Sequence, residues 1–195
     1  MAIAINGSSN VITGIAVGGL PDGIVDTDML AANAVTAAKS SGRKVLQYKV
    51  SKKTNVTSTS SQSYAEISND FRITLTPTAS DSTIVVTAYL MVANSNNANT
   101  FRLRRNTASD FSGTSTEVIQ PDDFAANEDG ICTVYEGSSH IFVVPVNGWE
   151  TSGNTTARTY SPFWRVGGGT MYLNRLYNSN DYQGVSTMTV MEIAA

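Results

Sequence analysis

The 195-residue sequence predicts an all-β protein, an antiparallel jelly-roll-like β-sandwich preceded by an extended arm and one short helix. Two observations carry this expectation. From residue 43 onward, apolar and polar side chains alternate with period two in run after run, with turn residues roughly every ten positions. Thr, Ser and Asn number 23, 22 and 16, while charged residues make up only 15%. Thr suits strands and Ser and Asn suit turns, so polarity here comes from uncharged hydrogen-bonding groups on a β-rich frame.

Residues 1–25 are small and Gly-rich, with Gly7, Gly14, Gly18, Gly19 and Gly23 and a turn signal at Pro21, Asp22 and Gly23. Such a segment buries little surface alone, and is expected to be flexible or ordered by lying along another chain. Residues 26–42 read as a short helix over 27–41. Asp26 or Thr27 caps it, Asp28 sits in its first turn, Lys39 in its last, and Gly42 stops it. Leu30, Ala34, Ala37 and Ala38 form one apolar stripe, with Met29 and Val35 beside it. A helix this short and Ala-rich is marginal in isolation, so it is expected to pack against copies of itself.

Residues 43–195 read as the sandwich. Leu46, Tyr48 and Val50 alternate with Gln47 and Lys49, and Phe71, Ile73 and Leu75 with Arg72 and Thr74. The run 84–92 is apolar on both alternations, which predicts a central strand buried on each side. Phe101 and Leu103 alternate with Arg102 and Arg104, and further runs follow at 131–136, 141–146, 158–166, 170–176 and 185–193. The glycines at 167–169 suggest a tight hairpin or bulge. Two long loops are expected, an acidic one at 106–130 and an aromatic one at 147–163.

Composition narrows the function. A net charge of −3 argues against nucleic acid as a partner. One Cys and one His leave no disulfide framework and no zinc site of the usual kind. The start lacks the basic region of a signal peptide, and the longest apolar runs are strand-length, so a soluble chain without membrane insertion is expected.

Candidate chemistry is sparse. His140 sits at the start of an apolar strand, where a hydrogen bond suits it better than a catalytic triad. Cys132 reads as a small core filler. Glu117, Asp122, Asp123, Glu128 and Asp129 match no calcium-loop spacing and read as a solvated loop. Arg102, Arg104 and Arg105 form a basic cluster, best suited to an inter-subunit salt bridge, the acidic loop being one candidate partner. Trp149, Tyr160 and Trp164 are candidate ligand-binding aromatics, and with Phe163 and Trp164 adjacent on a strand, one of that pair is expected to face outward. No catalytic residue, metal site or cofactor is assigned.

The segment 11–39 (VITGIAVGGLPDGIVDTDMLAANAVTAAK) resembles the stem of tail-fibre-like virion structural proteins of tailed bacteriophages, especially those of aquatic bacteria. Segments 44–47 (KVLQ), 73–86 (ITLTPTASDSTIVV) and 186–193 (STMTVMEI) resemble the C-terminal sandwich of the same family. The resemblance implies a homotrimer whose stem helices meet at Leu30, Ala34, Val35 and Ala38, with the sandwich projecting outward. It also implies an arm that attaches to another virion protein, capsid or tail, through Ile3, Ile5, Val11, Ile15, Val17 and Leu20. The single stem unit suits a short fibre, spike, head fibre or capsid decoration protein, assembled in the host cytoplasm into the virion. The alternatives are a module binding a host surface glycan and a polysaccharide depolymerase working from the acidic loop.

Overall fold

The computed structural model describes residues 4–6, 11–13, 44–94, 97–119, 130–136 and 140–195. The chain divides into two units, Met1–Gly42 and Arg43–Ala195. In the first unit, β1 (Ala4–Asn6) pairs antiparallel with β2 (Val11–Thr13), placing Ile5 opposite Ile12 and Asn6 opposite Val11. The arm therefore pairs with itself over these residues, which its glycines had not suggested. The expected helix, with Leu30, Ala34, Val35 and Ala38, lies outside the described residues, as do Ile3, Ile15, Val17 and Leu20.

The second unit is an antiparallel sandwich of two sheets, and among its described residues the only helical turn is a 3-10 turn at Asn69–Phe71. Its strands are β3 (Val45–Lys53), β4 (Thr57–Thr59), β5 (Ala65–Glu66), β6 (Ile73–Leu75), β7 (Thr83–Asn94), β8 (Asn97–Asn106), β9 (Thr116–Glu117), β10 (Cys132–Glu136), β11 (Phe142–Thr151), β12 (Arg158–Val166), β13 (Met171–Leu173) and β14 (Ser186–Ile193). Several short strands share one position. β14 and β13 lie end to end along one edge of β7, and β3 and β4 lie beside them. β9 and β10 share one edge of β8, and β5 and β6 share one edge of β12.

Each sheet is thus four positions wide. Sheet one runs β3/β4, β14/β13, β7, β11, and sheet two runs β5/β6, β12, β8, β9/β10. Counting these eight positions in chain order, the first pairs with the eighth, the second with the seventh, the third with the sixth and the fourth with the fifth. The chain is a long hairpin rolled up on itself, which is the jelly roll. The residues at 167–169 join β12 of sheet two to β13 of sheet one, so they carry the chain between sheets rather than closing a hairpin.

The core fills the space between the sheets. Ile84, Val86, Ala88, Leu90 and Val92 of β7 meet Phe101, Leu103, Tyr160 and Trp164 of sheet two. Gly148 of β11 faces this core, and a Cβ there would lie 3.1 Å from Leu103 Cδ2 and from Ile119 Cγ2. A larger residue there would have to push these side chains aside by a few tenths of an ångström.

Candidate interaction surface

The loop expected at 147–163 is mostly strand, because Thr, Trp and Tyr extend β11 to Thr151 and start β12 at Arg158. Its aromatic residues separate. Trp149 is 62% exposed on the outer side of β11. Tyr160 and Trp164, expected as ligand-binding residues, are 0% and 1% exposed in the core. Phe163 is buried too, although it faces the opposite side from Trp164, because β12 is covered on both faces.

That second cover comes from the chain itself. On the outer side of sheet two, Arg104 Nε donates to Glu117 Oε1 at 2.6 Å, and Arg102 Nη1 reaches the same oxygen at 3.4 Å. Arg72 grips Glu66 through two bonds, Nε to Oε1 at 2.7 Å and Nη2 to Oε2 at 2.6 Å. The Arg102 guanidinium stacks 3.8 Å from the centre of the Tyr64 ring, Arg104 lies 4.9 Å from that of Phe163, and Phe111 packs on Phe163 at 5.5 Å. The arginines expected to bridge subunits therefore find acidic partners in their own chain. Arg105 points inward instead and donates to Glu150 Oε2 at 2.7 Å.

Glu150 joins the two sheets. From β11 it also accepts from Tyr160 Oη at 2.7 Å and Arg158 Nη1 at 3.2 Å. Burial pushes the Tyr160 phenol far above its ordinary pKa, and the bond to the Glu150 carboxylate adds to that. Across β7 from Glu150, the register places Glu192 of β14 in the same row, with Ile84 between them. Glu192 is fully buried and has five donors: Ser82 Oγ, Thr78 N, Thr78 Oγ1, Ala79 N and Gln47 Nε2, at 2.6–3.4 Å. Burial raises its pKa, and these donors more than offset that, so its carboxyl titrates below the ordinary range.

The remaining candidates are modest. His140 is exposed and, with Ile141, Leu176 and Tyr182, lines an open pocket of about 420 Å³. Cys132 packs against the core and burial raises its thiol pKa, as suits a core filler. Asp122, Asp123, Glu128 and Asp129 lie outside the described residues. Among the described residues, no group of three or more His, Cys, Asp or Glu side chains is placed to hold a metal ion.

The outer side of sheet one is built differently. Pairing sets Trp149, Val85, Met191 and Tyr48 in one row across β11, β7, β14 and β3. Beside it runs Asn147, Thr87, Thr189 and Val50, and then Pro145, Tyr89, Thr187 and Lys52. On β3 the alternation runs opposite to the usual sense. Tyr48 and Val50 are 61% and 56% exposed, while Gln47 and Lys49 turn the other way, Gln47 donating to Glu192 and to Thr76 O and Lys49 to Thr74 O. β7 is central as expected, but only its inner side is fully buried, and Tyr89 is half exposed. Sequence reasoning reached Trp149 alone of this face. The apolar character of both alternations in 84–92 was the signal for the rest.

The sequence matches no family model and no curated protein. A solved chain from the structure of infectious bursal disease virus, Gx strain, is similar to 76% of this chain at 12% identity and a TM-score of 0.34. This chain spans 40% of that one.

Proposed function

We propose that the chain is a non-enzymatic structural protein of a tailed-phage virion, a short trimeric fibre or spike or a capsid decoration protein. Residues 1–25 attach it to another particle protein and the sandwich is displayed outward. The observation that carries this reading is where the carboxylates go. Glu66, Glu117 and Glu150 are taken up by arginines, and Glu192 by hydroxyl, amide and backbone donors, so they brace the jelly roll instead of facing a cleft. Jelly rolls with this order serve as capsid and lectin domains. The resemblance of residues 11–39 to a fibre stem supplies the trimer and the attachment.

A second reading, binding of a host surface glycan, has one specific observation in its favour. Trp149 is exposed and flanked on the outer side of β11 by Asn147 and Thr151, a stacking platform beside hydrogen-bonding groups. Two measurements test the main reading. Purified virions probed with antibody to this chain should show it on the particle surface, and its absence from intact particles contradicts the reading. Leu30→Asp should lower the solution mass of the full chain threefold with its β-sheet signal intact, and an unchanged mass removes the trimeric stem.

A further inference from the structure

We infer that the outer side of sheet one is an interface between two copies of this chain, formed by the same face of each through a two-fold axis. The inference does not rest on the virion reading or on the stem. It begins from a mismatch between sequence and burial. β7 carries apolar residues on both alternations, the pattern of a strand covered on both sides, yet only its inner side is fully buried within the single chain. β3 goes further, turning Tyr48 and Val50 outward while Gln47 and Lys49 are spent on hydrogen bonds to neighbouring strands. A one-residue shift of β3 would reverse this, so the outward apolar set is a specified feature of the register.

Size agrees with a second copy. Ten residues of β11 at about 3.3 Å and four strands at about 4.8 Å give roughly 600 Å² for the whole outer side, of which the three rows from Trp149 to Lys52 are the middle part. Two such faces bury about 1,200 Å², the lower end of stable, specific interfaces. Composition agrees as well. Trp, Tyr and Met are the residue types enriched at interface centres, and Trp149, Tyr48, Tyr89 and Met191 supply them.

Charge selects the occupant. The three rows from Trp149 to Lys52 contain no carboxylate, and Lys52 at the rim is their only cation. A nucleic acid, an anionic membrane or an acidic peptide would find no basic field to meet, and a basic partner no acid to pair. An uncharged face is complementary to itself, and closed two-fold pairing is the commonest way for one surface to satisfy itself. Thr87 and Thr189, adjacent in the middle row, have short hydroxyls that can bond across a dry contact without a charge to desolvate.

The test uses the full chain carrying both Trp149→Glu and Val50→Glu, both at exposed positions that leave the core untouched. Its mass is measured by sedimentation and light scattering against wild type and against Tyr182→Glu, an exposed aromatic outside the three rows. The expected result is a twofold loss of mass in the double variant alone, with melting of the sandwich preserved. Halving is expected whether the stem adds a threefold or not, whereas Leu30→Asp divides the mass by three, so the two ideas fail separately. Three results overturn the inference: equal mass in all three proteins, a wild type that sediments as a monomer, or an unchanged mass combined with glycan binding lost in Trp149→Ala. The last would give the face to a saccharide instead.

Discussion

The two outer faces of this sandwich are opposites. Over β12, sheet two is sealed by its own chain, with arginines stacked on Tyr64 and Phe163 and paired with Glu66 and Glu117, so that every residue of β12 is buried, while at the edge Tyr135 of β10 stays exposed. Sheet one presents Trp149, Tyr48 and Val50 to the outside, in rows whose one cation is Lys52. Both faces hold aromatic residues, and the difference lies in what accompanies them. Charge brought by the chain's own loops closes a face internally, since an ion pair formed within the chain holds its own cover in place. Apolar residues with no such cover remain for another molecule to bury.

Substitutions can probe how deep that contrast runs. The largest effect is expected inside the sandwich, where Glu150 ties the faces together. Glu150→Ala leaves Arg105, Arg158 and the Tyr160 hydroxyl without their shared acceptor, and should cost about 3–5 kcal/mol in denaturant unfolding. A loss below 1 kcal/mol would mean the sheets are held by the apolar core alone.

Next comes the sealed face. Phe163→Ala empties the space between Phe111 and the Arg104 guanidinium, and should cost about 3 kcal/mol, near the lower end for buried phenylalanines. A value near zero would make this face as open as the other.

A smaller, pH-dependent effect is expected at Glu192. Its carboxyl titrates lower in the folded chain than in the unfolded one, so the unfolded chain binds the extra proton. The stability it contributes is present above the unfolded carboxyl value and is lost as pH falls through it and below. Glu192→Gln should cost about 1–2 kcal/mol at neutral pH and show a flatter decline in stability between about pH 5 and 3. An identical decline in both proteins would place the acid sensitivity elsewhere.

The smallest effect belongs to the exposed face. Trp149→Ala should change the stability of the dissociated chain by less than about 0.5 kcal/mol, the usual range for surface substitutions, as dilution into denaturant will measure. A cost comparable to that of Phe163→Ala would show that Trp149 is packed within its own chain.

Much of the frame was legible in the sequence because it is written locally. Period-two alternation marks β8 and β14, an apolar run on both alternations marks β7 as central, and the Phe101/Arg102/Leu103/Arg104 pattern tells which side chains enter the core. The ligand-binding assignment of Tyr160 and Trp164 went wrong for a non-local reason. β12 is covered on its second face by Phe111 and Arg104, which come from two other segments, and nothing within β12 announces them. The segment around Trp149 differs from the expected loop because its Thr, Trp and Tyr favour strands while the Ser, Gly and Asn among them signal turns. Gln47 meets Glu192 across 145 residues and Arg105 meets Glu150 across 45, so the direction of β3 and the closure of the sandwich's end depend on register that no local pattern encodes.

One face is closed over β12 by its own chain, and we infer that the other is closed by a second copy. A reconstruction of the particle or free assembly that carries this chain, at a resolution that traces side chains, tests it most directly. The Trp149, Val85, Met191 and Tyr48 row should be pressed against the same row of a two-fold related copy, with Arg72 and Arg104 facing solvent or loops of their own chain. Finding that row in open solvent, with copies meeting through the arginine face instead, would contradict it.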